Sequence, residues 1–242
     1  RFGAKREQSQ MLRFHTQTAG SSLTAQQPLN NVVRTTLQAL AAVMGGTQSL
    51  HTNGFDEALG LPTQEAARIA LRTQQIIGYE SGVTDTPDPL AGSYYVESLT
   101  NEVERLAWEY IERIDAMGGA VHAIEAGFQM EEIEEAAYAY TKSIDDESRT
   151  IVGVNKFQDD ERADTPVLKV DAERERNQVA RLREFKAKRD SALVAARLDD
   201  VRVAARGTDN LLYPMKEALK ANATLGEVSD ALRDVFGVHR PG

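Results

Sequence analysis

Two short polar segments in the first quarter of the chain constrain its fold more than any other feature. They are Arg13-Phe14-His15-Thr16-Gln17-Thr18-Ala19-Gly20 and Gly45-Gly46-Thr47-Gln48-Ser49-Leu50-His51-Thr52-Asn53, the second followed by Phe55-Asp56-Glu57-Ala58-Leu59. Both read as short strands entering a core. A strand buried under helices on both faces should be a run of Val, Ile and Leu, yet these carry His, Gln, Ser, Asn and Arg. Buried polar groups cost free energy unless they find partners. A fold that takes in both segments must supply a polar network or a ligand.

The flanking sequence argues for parallel βα units. Residues 11–18 are expected as a strand, with Arg13, His15 and Gln17 on one face and Leu12, Phe14 and Thr16 on the other. A helix follows near Asn31–Met44, burying Val33, Leu37, Leu40 and Ala41 and stopped by Gly45-Gly46. Thr47–His51 is the second expected strand, and Thr63 caps a helix with Glu65 near its positive end. Gly78 or Gly82 should end that helix, and Tyr94–Glu97 should form a third strand. Thr100 then caps a helix whose stripe is Val103, Leu106, Ala107, Tyr110, Ile111, Ile114 and Met117, ended by Gly118-Gly119. Beyond residue 120 helices dominate, over roughly 120–127, 130–147, 172–205, 209–221 and 225–236. An extended piece at Ile151–Lys156 and an acidic surface loop over 158–166 interrupt them. The charge-dense stretch Asp171–Arg206 alternates acids with bases and reads as a solvated helix face.

Composition narrows the function classes. A net charge of -9 argues against nonspecific binding to nucleic acid or an anionic membrane surface. No apolar run approaches the roughly 20 residues of a membrane span. Cysteine is absent, which removes disulfides and thiolate chemistry and agrees with a cytoplasmic setting.

His15 and His51 lead the candidate site. Each sits on a polar strand, in consecutive βα units, near the strand's carboxyl end, where parallel α/β folds place their sites. Alternation groups Ser49, His51 and Asn53 against Gln48, Leu50 and Thr52 without settling which set faces inward. Asp56 reads as a turn cap, whereas Glu57 has the chemistry to accept hydrogen bonds from ligand hydroxyls. Metal ligation is weakly supported, because there is no His-x-x-x-His, His-Glu-x-x-His or carboxylate cluster. A Gly-x-Ser-x-Gly elbow is also absent. Residue chemistry alone reaches a parallel α/β fragment with a polar ligand site.

Several motifs go further. His15-Thr16-Gln17-Thr18-Ala19-Gly20, Ser22-Leu23-Thr24, Asn30-Asn31, Gly46–Asn53 and Asp56-Glu57-Ala58-Leu59 closely resemble the large subunit of the methylmalonyl-CoA mutases. So do Leu61-Pro62-Thr63, Ala67-Arg68-Ile69-Ala70, Asp88-Pro89, Gly92–Glu97, Gly153-Val154-Asn155-Lys156 and Gly226–Leu232. The resemblance is specific for the adenosylcobalamin-dependent acyl-CoA mutases, less so for one member. It implies an α/β fold, a partial (β/α)8 TIM barrel holding the last strands, followed by a mostly helical region. In that family the barrel is lined by small polar side chains around the coenzyme A tail, and cobalamin lies across the carboxyl ends of the strands. The implied reaction is a radical carbon-skeleton rearrangement, (R)-methylmalonyl-CoA to succinyl-CoA, begun by homolysis of the cobalt–carbon bond.

Carried over residue by residue, the resemblance makes His15 and Gln17 catalytic, with Arg13, Gln48, Ser49 and His51 binding the acyl-CoA substrate. Asn53 and Glu57 would hold the adenosyl ribose and the corrin edge, and Gly20, Gly60 and Leu61 would let the corrin approach the loops. Residues 1–120 would be the C-terminal half of the substrate-binding barrel and 121–242 a helical C-terminal region. The Asp-x-His-x-x-Gly motif that supplies cobalt's lower ligand is absent. No metal ligand and no cobalamin-binding domain are therefore assigned here. With three strands where a barrel needs eight, and a start at Arg1, the chain is expected to be a fragment, inactive by itself. The implied partners are the missing N-terminal half of the barrel and a separate cobalamin-binding subunit, in an oligomer.

Departures bear on the substrate. Ser21 and Leu29 stand where the family commonly has Trp and Tyr. Gln26-Gln27-Pro28 is nearer to versions with a separate cobalamin subunit, such as isobutyryl-CoA mutases and archaeal-type methylmalonyl-CoA mutases. The alternatives are therefore an isobutyryl-CoA or 2-hydroxyisobutyryl-CoA mutase large-subunit fragment, or a nonenzymatic half-barrel interaction module.

Overall fold

The computed structural model describes residues 2–159 and 165–238. The chain divides into two compact units, Arg1–Leu168 and Lys169–Gly242.

In the first unit a helical turn, α1 (Glu7–Gln10), precedes a parallel pair of strands, β1 (Thr16–Gln17) and β2 (Leu50–His51). Thr16 pairs with Leu50 and Gln17 with His51. The crossover is α2 (Asn30–Met44), and α3 (Gln64–Glu80) follows β2, so two consecutive βα units are present as expected. The strands are shorter than the segments 11–18 and 47–51. Upstream of the ladder the N–H of Phe14 donates to Oε1 of Gln48 (2.9 Å) instead of to a backbone carbonyl. Side-chain bonding there replaces strand pairing.

Helix signals hold at several ends. Thr63 Oγ1 accepts from Ala66 N (3.2 Å) at the start of α3, and α2 stops at Gly45. The helix α3 runs through Gly78 and ends at Glu80, before Gly82. The inner face of α2 differs from the expectation. Asn31, Thr35 and Ala39 are buried, while Val33, Leu37 and Ala41 are exposed and Leu40 is half-buried. The helix turns a small, polar stripe inward and packs against α3. Val33 and Leu37 instead line a groove of about 550 Å³ with Tyr140, Ile151 and Val152.

The third strand is not formed. Tyr94–Glu97 opens a long helix, α4 (Tyr94–Ala116). Ser93 Oγ accepts from Val96 N (3.5 Å), and the Glu97 carboxylate accepts from Gly92 N (3.1 Å). These N-terminal contacts outweigh the strand preference of Tyr-Tyr-Val. Thr100 lies inside the helix, its hydroxyl donating to Val96 O (2.8 Å), and is not a cap. The expected stripe is only partly covered: Ile111 and Ile114 are half-buried, while Val103, Leu106 and Tyr110 are exposed.

The helices α5 (Ala120–Glu125) and α6 (Phe128–Asp145) follow. The extended piece at 151–156 is a turn closed by a bridge between Val152 and Lys156. Asn155 organises it, donating to Ile144 O (2.9 Å) and Arg149 O (2.8 Å) and accepting from Ile151 N (2.7 Å). Arg34 donates to Val152 O (2.7 Å) and Gln27 to Phe157 O (2.9 Å), tying this turn to α2 and to the segment before it. Of the acidic loop expected over 158–166, residues 160–164 lie outside the described residues.

The second unit is helical: α7 (Ala172–Lys188), α8 (Ser191–Ala205), α9 (Leu212–Lys220) and α10 (Leu225–Phe236). The continuous helix expected over 172–205 is broken at Arg189-Asp190. Asp190 caps α8, accepting from Ala192 N and Leu193 N at 3.0 Å each. The core of this unit is Val194, Val201, Ala218, Ala223, Val228 and Ala231. Thr224 and Glu227 form a reciprocal capping box at the start of α10. No residue of α7 is buried, in keeping with a solvated helix. Among the described residues no helix is long and apolar enough to cross a membrane.

Candidate functional site

The two strands present one polar, open face. On the other side of β2, Thr52 is buried and donates to Ala70 O of α3 (2.7 Å), while Gln74 donates to Leu50 O (3.1 Å) and Thr52 Oγ1 (3.0 Å). This settles the alternation that the sequence left open. Leu50 and Thr52 face α3, and Ser49 and His51 share the exposed side with His15 and Gln17.

Side chains couple across that face. His15 Nδ1 and Ser49 Oγ lie 2.8 Å apart. One step further along, Gln17 Nε2 donates to Asn53 Oδ1 (3.2 Å). Asn53 is 2% exposed, and its backbone N–H donates to Thr18 Oγ1 (3.0 Å). Its Nδ2 has no hydrogen-bond partner. Almost all buried polar groups are paired, so this amide nitrogen is an exception within the site.

Gly20 packs directly against it. A Cβ at this position would stand 2.8 Å from Asn53 Nδ2 and 3.5 Å from Oε1 of Glu57. Absence of a side chain thus lets the 3₁₀ turn Gly20–Ser22 close on the loop after β2. It brings a carboxamide donor and a carboxylate acceptor to one edge of the strands. Such a pair suits vicinal hydroxyls, which both donate and accept.

The remaining candidates are placed less tightly. His51 is exposed on the open face, and Arg13 is exposed ahead of β1. Gln48 is engaged with the Phe14 backbone. Gly60 donates to Asp56 O (3.2 Å), and a Cβ there would meet Val167 at 2.9 Å, so a following segment passes close over it. Leu61 is 56% exposed. Among the described residues no group of three His, Cys, Asp or Glu side chains is arranged to hold a metal ion.

Buried Asn31 and half-buried Gln38 anchor the loops around the site, a role that sequence reasoning did not assign them. Asn31 accepts from Thr24 N (3.1 Å) and donates to Thr24 O (2.9 Å) and Phe55 O (2.8 Å). Gln38 accepts from Ala19 N (2.6 Å) and donates to Ser22 Oγ (2.7 Å). The available signal was the polar series Asn31, Thr35, Gln38, which falls on one helix face.

Comparison with known proteins fixes the family. The family model for methylmalonyl-CoA mutase matches residues 1–238. The chain belongs to the methylmalonyl-CoA mutase family. It is 52% identical over 236 residues to the methylmalonyl-CoA mutase of Escherichia coli (strain K12), covering 97% of this chain and 33% of that protein. It is 47% identical over 238 residues to the mitochondrial methylmalonyl-CoA mutase of Bos taurus, covering 98% and 32%. It is also 44% identical over 242 residues to the 2-hydroxyisobutanoyl-CoA mutase large subunit of Aquincola tertiaricarbonis, covering 99% and 43%. The chain thus spans about a third of the length of the first two mutases and under half of the third. Within the methylmalonyl-CoA mutase family, the helix-rich first unit with its small parallel sheet is part of an α/β domain.

Proposed function

We propose that this chain supplies the last strands of the catalytic (β/α)8 barrel, and the loop facing the cofactor, of an adenosylcobalamin-dependent acyl-CoA mutase. The reaction proposed is isomerisation of (R)-methylmalonyl-CoA to succinyl-CoA. The upstream barrel half and a cobalamin-binding domain or subunit complete the site, and residues 121–242 form the helical region that follows the barrel. The observation that supports this reading is the close approach of the loops at Gly20, which brings the unpaired Nδ2 of Asn53 and the carboxylate of Glu57 to one place. These residues have the chemistry for an adenosyl ribose, whose hydroxyls would accept from Asn53 and donate to Glu57.

When bound, adenosylcobalamin supplies the radical initiator through homolysis of its cobalt–carbon bond. The chain's own residues orient and shield. Pairing of His15 Nδ1 with Ser49 leaves Nε2 as the ring nitrogen available to the substrate thioester oxygen. Gln17, held by Asn53, couples the substrate-facing row to the adenosyl edge. Arg13, Gln48 and His51 extend the polar wall along which the acyl-CoA lies. Gly20, Gly60 and Leu61 keep the loops low enough for the corrin to approach.

The test is Glu57→Gln in an assembly of this chain with the upstream barrel segment and a cobalamin-binding subunit. The substitution keeps shape and removes charge. A charge-assisted hydrogen bond is worth about 1.5–3 kcal/mol, so adenosylcobalamin affinity and turnover should fall at least tenfold while acyl-CoA affinity changes little. Unchanged cofactor affinity and turnover would remove Glu57 from the site. Identity to the 2-hydroxyisobutanoyl-CoA mutase large subunit, together with Gln26-Gln27-Pro28, favours one second reading, a branched hydroxyacyl or isobutyryl substrate. Assaying the three acyl-CoA esters side by side separates them.

A further inference from the structure

We propose that Asp56 is the positioning residue for Glu57, an inference that rests on the reading of Glu57 as the adenosyl contact. Glu57 is exposed, so its placement depends on the turn that carries it. That turn is built around Asp56. Glu57 N donates to Gly54 O (3.1 Å), and Leu59 N and Gly60 N both donate to Asp56 O (2.8 and 3.2 Å). The Asp56 side chain reaches the other way: Oδ2 accepts from Thr63 N (2.8 Å), the capping residue of α3. One residue therefore joins the turn to the rigid helix through both its backbone and its side chain.

Asp56 is an expensive residue for this task. It is 1% exposed, and its second oxygen, Oδ1, has no hydrogen-bond partner. Stability alone would be served by a neutral acceptor, because a buried carboxylate with one donor is poorly compensated. Close packing confirms that the arrangement is tight. A Cβ at Gly54 would stand 2.7 Å from Asp56 Oδ1 and 3.2 Å from Ala66 Cβ. The carboxylate thus sits wedged between the turn and α3, and Asn31 secures the same turn from α2 through Phe55 O (2.8 Å).

The test is a double-mutant cycle in the reconstituted assembly, reading adenosylcobalamin affinity by absorbance and melting temperature in parallel. Asp56→Ala should weaken affinity about tenfold, the loss of one charge-assisted bond, and Asp56→Asn, which keeps an acceptor for Thr63 N, should restore most of it. In the Glu57→Gln background, Asp56→Ala should have little further effect, because it acts through Glu57. Additive effects of the two substitutions, or a lower melting temperature with unchanged affinity, would reduce Asp56 to a fold element and overturn the inference. If Asp56→Ala does not fold, Asp56→Asn with raised hydrogen exchange at Leu59 and Gly60 but full cofactor affinity would overturn it equally. Glu57→Gln alone without effect would instead fail the reading beneath it.

Discussion

Gly20 stands where the two loops of the site come closest, and the chemistry of that contact can be tested one methyl group at a time. A Cβ there would press on the amide of Asn53, which is buried and held at both its backbone N–H and its Oδ1. It has little room to retreat. Overpacking of this kind costs about 1–3 kcal/mol. Gly20→Ala should lower the melting temperature of the chain, and adding Asn53→Ala should recover part of the loss. A melting temperature unchanged by Gly20→Ala would mean that the loops do not meet. Much of this site is legible in the sequence, because polar residues at alternate positions of a strand declare a shared face: Arg13, His15 and Gln17 fall out this way. The supporting residues are not. Asn31 and Thr18 lie within motifs of the resemblance, but propensity gives no sign of the bonds they make or of how fully they are buried.

Elements were legible where a local cap decides them. Thr63 and Gly45 mark the helix ends by short-range chemistry that the sequence displays. Tyr94–Glu97 misleads because bulky β-formers fill the first turn of a helix, and Ser93 with Glu97 decides the outcome. The break between α7 and α8 joins a local cap, Asp190, to a long-range clamp. Arg189 donates to Glu227 Oε2 (2.7 Å) and Oε1 (2.5 Å) and to Asn222 O (3.0 Å), contacts more than thirty residues away that no local window contains. The same pair gives a pH-dependent stability. The Arg189 guanidinium holds the Glu227 carboxyl well below the usual carboxylate range; burial opposes this, and Thr224 N–H and Lys186 add to it. A group whose folded pKa is depressed stabilises the fold above its unfolded pKa, about 4.3, and loses that contribution as pH falls toward the folded value. Glu227→Gln keeps the capping geometry and removes the charge. It should destabilise by about 1.5–3 kcal/mol at neutral pH, and the difference from the parent should shrink on acidification below pH ~4. Denaturant unfolding at the two pH values checks this; a difference independent of pH would assign the effect to capping alone.

At the scale of the molecule, the family was legible and the extent of the fold was not. Motifs from His15 to Leu232 carry the resemblance, and the family match over residues 1–238 agrees with it. The sheet has two strands among the described residues, one fewer than expected. A barrel is closed by pairing of every strand with two neighbours, so barrel closure is a property of the assembly proposed and not of this chain. The measurement that tests the central claim most directly is adenosylcobalamin-dependent formation of succinyl-CoA from methylmalonyl-CoA. It should be made on the 242 residues alone and on the same chain combined with the upstream barrel segment and a cobalamin-binding subunit. The expected result is no turnover alone and cofactor-dependent turnover on combination. Turnover by the chain alone, or none in combination with methylmalonyl-CoA, isobutyryl-CoA or 2-hydroxyisobutyryl-CoA, would contradict it.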